Sequence, residues 1–251
     1  MSAPRLLIIQ PDPSDPPGPL GDWLTGAGAE LDVRLPPGDQ LPESLDGYQG
    51  LVVLGGGMDA DDDTNYPWLP AVRRLLATAA GTRLPTLAIC LGAQMLADAT
   101  GGRVVLGDRG PEAGGALVSK KDIAWTDPLF ADLPLMQDVL QFHRDAVDRL
   151  PPGAELLASA PKYPNQAFRL NGCIYGIQFH IETTPEVVLE WARDSPELAE
   201  FARAGAFETE TLTRLHEDLE HTWQPFAERF VRLVEGKLQA AVDPGRSLPL
   251  A

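Results

Sequence analysis

Short apolar runs alternate with helical periodicities through the first hundred residues. Residues 5–10 (RLLIIQ) are of strand length with an apolar centre, which predicts a buried first strand. A Pro-rich loop over 11–19 and a short helix near 20–27 follow. Residues 30–35 and 50–54 (GLVVL) predict two more strands, the second running straight into Gly55, Gly56 and Gly57. Leu69, Val72, Leu75 and Leu76 recur at helical spacing, with Asp63 or Thr64 as the predicted cap and Pro67 in the first turn. Residues 85–89 predict a short strand feeding Cys90, and 91–99 a helix closed by Gly101 and Gly102.

From about 104 to 176 the rhythm changes to short β-like pieces around 116–119, 139–143, 155–159 and 167–170. Residues 173–180 (CIYGIQFH) make the strongest late strand. Beyond Thr184 and Pro185 the spacing is helical. Val187, Val188 and Trp191 share one face, and Leu212, Leu215, Leu219, Trp223, Phe226, Phe230 and Leu233 extend the pattern. Six large rings, those of Trp191, Phe201, Phe207, Trp223, Phe226 and Phe230, must find cover. The first expectation is packing within the chain; a homodimer or synthetase interface is the alternative. The alternation predicts an α/β fold: a doubly wound, mostly parallel central sheet with helices on both faces, plus a C-terminal helical extension. The predicted division is 1–190 for the main domain, 191–242 for the helical extension packed on it, and 243–251 for a flexible tail. Ligands of such sheets bind beyond the carboxyl ends of the strands. That rule singles out the segments after Leu54, Ile89 and Phe179.

Composition narrows the functional classes. The chain has 251 residues, 44% hydrophobic and 22% charged, which is ordinary for a folded globular protein. Lys and Arg number 20 against 36 Asp and Glu, a net charge of −16. So acidic a chain gains nothing from releasing phosphate counterions, so no nucleic acid and no anionic membrane surface is expected as a partner. Two cysteines cannot build a disulfide framework. With no apolar stretch of membrane-spanning length and no signal-peptide core, the expected location is cytoplasmic.

Cys90 sits between a strand and a helix in the segment Ala88-Ile89-Cys90-Leu91-Gly92. That setting predicts a nucleophile elbow, whose helix N-terminus favours a thiolate. His180 ends the strong late strand, and Glu182 stands two residues on, the spacing that lets a carboxylate orient an imidazole. His143, followed by Asp145, is the rival base. His216 and His221 lie five apart on a late helix and cannot form a zinc pair. The three glycines after Leu54 permit close backbone approach, so one of their N–H groups and that of Leu91 could hold an oxyanion. They do not form a phosphate loop, because no Gly-Lys-Ser/Thr follows. Asp61, Asp62 and Asp63 read as a solvated loop with a helix cap rather than a metal site, and Cys173 as a packed strand residue.

Together these segments resemble the class I (triad-type) glutamine amidotransferases. VVLGGGM at 52–58, LAICLGAQMLA at 87–97 and GIQFHIE at 176–182 are similar to that family's glycine loop, cysteine elbow and histidine-glutamate ending, in order and spacing. The closest flavour is that of stand-alone relatives of the GMP synthase amidotransferase domain. Ala88 stands where the family has glycine, and Ile181 where it has proline.

The resemblance implies that Cys90 attacks the γ-amide of glutamine, that His180 relays the proton, and that Glu182 orients His180. Gly56 and Leu91 would supply the oxyanion N–H groups. Gly57, Gln94, His143 and Asp145 would line the substrate pocket. It implies no cofactor and no metal. The partner is glutamine or another γ-glutamyl compound, with a separate synthetase subunit as ammonia acceptor or with none. About 70 residues follow Glu182, too few for a pyrophosphatase domain, and no P-loop occurs. The alternatives are a stand-alone γ-glutamyl peptide or amine hydrolase, a different cysteine-elbow hydrolase, and a catalytically silent regulatory homologue.

Overall fold

The computed structural model describes residues 2–241, so the predicted tail over 243–251 lies outside the described residues. In chain order the elements are β1 (Arg5–Ile9), α1 (Gly18–Gly26), β2 (Glu30–Arg34), β3 (Gly50–Val53), α2 (Leu69–Thr82), β4 (Thr86–Ile89) and α3 (Leu91–Ala99). Then come β5 (Arg103–Leu106), β6 (Glu112–Lys120), a 3-10 turn (Asp122–Thr126), β7 (Met136–His143), β8 (Asp145–Arg149), β9 (Glu155–Ser159), β10 (Ala167–Leu170) and β11 (Ile174–Ile177). Three helices follow: α4 (Pro185–Asp194), α5 (Pro196–Ala199) and α6 (Thr209–Val234).

Nine strands form one sheet in the order β2-β1-β3-β4-β11-β10-β9-β6-β7. The first five run parallel. The last four continue the sheet antiparallel. β1, β3, β4 and β11 are apolar and almost wholly buried, as parallel strands covered on both faces must be. Strand order reverses at β1, with β2 on one side and β3 on the other. That makes a switch point, beside which a crevice opens at the carboxyl edge. The loops after β1, β3, β4 and β11 all end at this edge.

Several elements differ from the sequence expectation. The late strand is shorter, Ile174–Ile177, so Cys173 precedes it. His180 lies beyond it in an isolated bridge with Leu140. α2 begins at Leu69, not after Asp63 or Thr64. A helix starting there would carry Pro70 in its interior, where the missing N–H and ring clash cost about 3 kcal/mol. Instead Pro70 falls in the first turn, Asp62 accepts from Asn65 in a turn, and Asp63 pairs with Arg73 at 2.7 Å. The two-stranded sheet of β5 and β8 was not expected, because both strands are polar or exposed and lack alternation.

Helix α6 lies against α1, α4 and β7. Its Leu212, Leu219, Trp223, Phe226 and Phe230 are buried in the same core as the central strands. The Trp223 ring meets Phe130, Phe179 and Phe226 at centroid distances of 6.2, 5.2 and 5.3 Å, and its Nε1–H donates to Asp138 O at 3.0 Å. These anchors flank Pro225 and hold the helix continuous through a residue that would break an isolated helix. Of the other late rings, Trp191 and Phe207 are half-buried, while Phe201 is 54% exposed.

Candidate active site

Cys90 stands between β4 and α3 with φ 49° and ψ −108°, a left-handed conformation that costs a non-glycine residue of order 1–3 kcal/mol. Its N–H donates to Ile177 O at 2.8 Å, and its C=O accepts from Gln94 N, which fixes the turn from both sides. Gly92 permits the turn: a Cβ there would lie 2.3 Å from the carbonyl oxygen of Val53. The sulfur is thereby set at the mouth of the crevice, with the residue only 5% exposed.

The chain brings His180 and Glu182 to the same place from the end of β11. His180 Nδ1–H donates to Glu182 Oε1 at 2.5 Å, and Ile181 N–H donates to Glu182 Oε2 at 2.8 Å. Proline at position 181 could not make the second bond, so Ile181 adds a donor to this carboxylate. The Trp191 ring covers His180 at 4.8 Å, edge on. Burial alone favours a neutral His180, but the Glu182 carboxylate and the Cys90 sulfur beside it hold the imidazole pKa well above its ordinary value. Burial opposes ionisation of Glu182 too, and the His180 charge outweighs it, so the Glu182 pKa is lowered.

A cavity of about 340 Å³ opens on Cys90, His180, Gly56, Gly57, Gln94 and Trp191. Leu91, the first residue of α3, and Gly56 have N–H groups without an acceptor among the described residues. The Gly57 N–H is already taken by Asp12 Oδ2 at 3.2 Å. Gln94 does not reach freely into the cavity. Its Nε2 donates to Asp145 O at 2.9 Å and to Gln178 Oε1 at 3.4 Å, while Gln178 Nε2 faces the Cys90 sulfur at 3.7 Å. His143 lines the cavity, but both of its ring nitrogens are engaged, by Asp145 O at 2.9 Å and Glu112 Oε2 at 3.1 Å. That leaves it no free nitrogen to act as base. The Asp145 carboxyl is half-buried, and burial followed by Asp59 raises its pKa. His216 Nε2 meets Thr183 Oγ1 at 3.1 Å, bracing the loop that carries Glu182.

Some site residues were not singled out in the sequence. Gln178 and Trp191 read as strand and helix core. Asp12 and Asp15 were passed over as part of a Pro-rich loop, although they directly follow the first buried parallel strand, where the rule for such sheets places ligands.

A doubly wound sheet with a thiol at its strand-to-helix elbow, and an imidazole and carboxylate delivered from the next strand, defines an α/β protein of the cysteine-elbow class. The family model described as "Glutamine amidotransferase class-I" matches residues 25–191, and the chain belongs to that family. It is 37% identical over 131 residues to the GMP synthase [glutamine-hydrolyzing] of Thermomicrobium roseum, covering 52% of this chain and 23% of that enzyme. It is 27% identical over 155 residues to γ-glutamyl peptidase 4 of Arabidopsis thaliana, covering 60% of this chain and 61% of that protein. The crystal structure of a glutamine amidotransferase from Thermotoga maritima superposes with a TM-score of 0.81 at 30% identity, over 92% of this chain and 99% of that one. The chain thus matches about a quarter of the length of the GMP synthase.

Proposed function

We propose that this protein is a glutamine amidohydrolase that releases ammonia from the γ-amide of glutamine through a Cys90–His180–Glu182 triad. The observation that carries the reading is the buried 2.5 Å contact from His180 to Glu182, poised beside a thiol on a strained elbow at a cavity wall. Cys90 gives its proton to the free ring nitrogen of His180, and the thiolate attacks the amide carbon. The N–H groups of Gly56 and Leu91 receive the oxyanion, each donor contributing about 3 kcal/mol in the transition state. His180 then protonates the departing nitrogen, and ammonia leaves a γ-glutamyl thioester. Water, deprotonated by His180, attacks the thioester; glutamate leaves and the thiol regains its proton. Gly57, Gln94, His143 and Asp145 shape the pocket: Gln94 acts by holding Gln178 and the Asp145 backbone, and His143 by fixing β7 against β8.

The ammonia is passed to a separate synthetase subunit, as the limited match to a full GMP synthase suggests. A second reading, a stand-alone hydrolase of γ-glutamyl peptides or amines, is favoured by the likeness to a γ-glutamyl peptidase. No described helix is long and apolar enough to cross a membrane. With both cysteines free and buried, a reducing cytoplasm suits the enzyme.

Ammonia release from glutamine and from a panel of γ-glutamyl peptides and amines tests both readings. Cys90→Ala should abolish release, His180→Asn should lower it by orders of magnitude, and Glu182→Gln should lower it less. Wild-type protein inert to the whole panel would refute both.

A further inference from the structure

The loop after β1 carries a carboxyl group that this reaction does not use. Asp15 is 2% exposed, and neither of its oxygens has a hydrogen-bond partner among the described residues. An ionised carboxylate buried without a donor is strongly disfavoured, so buried charges are paired or neutralised. What faces Asp15 is a second acceptor. One atom each of Asp15, His180 and Glu182 lie within 4.8 Å of one another. Both oxygens of Glu182 already accept, from His180 Nδ1 and Ile181 N. Two carboxyls this close do not both ionise; they share a proton. Glu182 has two donors aimed at it and keeps the charge, so the proton belongs to Asp15.

The loop cannot swing Asp15 away. Trp191 Nε1–H donates to Ser14 O at 2.8 Å. Gly18 is packed so closely that a Cβ would lie 2.2 Å from the Glu182 carbonyl oxygen. A Cβ on Gly55 would lie 2.3 Å from Asp15 Oδ2 and 2.9 Å from His180 Cε1, so the glycine loop closes over the pair. The charged groups that act on Asp15 are Glu182 and His180 from the loop after β11, and Asp12 from its own loop. Burial, then Glu182, pushes the Asp15 pKa well above the ordinary carboxylate range, and the His180 charge only partly opposes this.

We propose that Asp15 is a positioning residue: its protonated carboxyl donates a hydrogen bond to Glu182 and locks that carboxylate against His180. A neutral donor suits the chemistry. It keeps Glu182 on the imidazole while leaving one negative charge there, not two. A second charge would hold the proton that His180 must hand to the leaving nitrogen. A cation could also satisfy the carboxylates, but His180 Nδ1 and Glu182 are already spent on each other. The proposal rests on the Cys90–His180–Glu182 reading, and the test separates the two.

Infrared difference spectra of wild type minus Asp15→Asn at neutral pH should contain the carbonyl stretch of a protonated carboxylic acid. This measurement needs no turnover. In glutamine hydrolysis, Asp15→Ala should lower kcat about tenfold or more with KM unchanged, since a buried bond to a charged group is lost. Asp15→Asn keeps an N–H donor and should recover kcat to within about threefold of wild type. The proposal is overturned by absence of the infrared band, by Asp15→Asn losing as much as Asp15→Ala, by both variants keeping full kcat, or by a stoichiometric bound metal. Should Asp15→Ala not fold, the band and the Asp15→Asn kinetics still decide. A protein inert to γ-glutamyl amides that shows the band would overturn the hydrolase reading and leave the shared proton in place.

Discussion

Replacing Trp223 by alanine tests whether α6 is part of the core or a face kept for a partner. Trp223 is wholly buried, its ring meets three others at 5.2–6.2 Å, and its Nε1–H donates to Asp138 O. Removing a buried Trp side chain costs roughly 3–5 kcal/mol, and the loss of the hydrogen bond places this site near the middle, at about 4 kcal/mol. Domains are stable by only about 5–15 kcal/mol, so most of the margin would go. With a urea slope of about 3 kcal/mol/M, the unfolding midpoint should fall by about 1.3 M. Trp223→Phe, which refills most of the space and loses the hydrogen bond, should cost about 1–2 kcal/mol. Because Phe179 packs on Trp223 and precedes His180, Trp223→Ala should also lower turnover in protein that is still folded. Urea melts followed by circular dichroism, with ammonia release below the transition, measure both effects. A loss under about 1 kcal/mol would refute the packing argument and return α6 to the role of a partner surface.

Gly92→Ala should collapse the elbow, because the new Cβ meets the Val53 backbone at 2.3 Å and a backbone carbonyl cannot step aside; a lowered Tm and loss of Cys90 alkylation would register it, and an unchanged Tm would contradict the steric reading. Asp15→Asn should stabilise the protein at neutral pH. The folded pKa of Asp15 is raised, so its contribution to stability is fully present below the unfolded value of about 4 and is lost as pH climbs through the folded value. The Tm difference between variant and wild type should therefore be small near pH 4 and grow toward neutrality, and a difference that does not change with pH would contradict a protonated Asp15.

The parallel half of the sheet was legible because its strands are unbroken apolar runs ending in glycine, cysteine or histidine. The elbow was legible because a thiol between a strand and a helix is an unusual placement. The polar pair β5 and β8 was not, since neither strand has a buried face to print a pattern. α2 was misplaced because a cap and a proline recur twice, and only the position of Pro70 decides between the two starts. Roles of side chains at long range were the least legible. Gln94 bonds across 51 residues to Asp145 and 84 to Gln178, and Asp15 meets Glu182 only after the strands are laid side by side. No local periodicity encodes such meetings, although topology directs them to one sheet edge.

The central claim, that Cys90 is the nucleophile toward a γ-glutamyl amide, is tested most directly by treating the protein with a glutamine-analogue electrophile and mapping the adduct by mass spectrometry. The expected result is one adduct, on Cys90, formed at neutral pH and prevented by excess glutamine. Cys173 should stay unmodified, since burial pushes its thiol up to about 11 and its sulfur is held against the carbonyl of Arg83 at 3.3 Å. An adduct on Cys173, or labelling of Cys90 that glutamine does not slow, would contradict the claim.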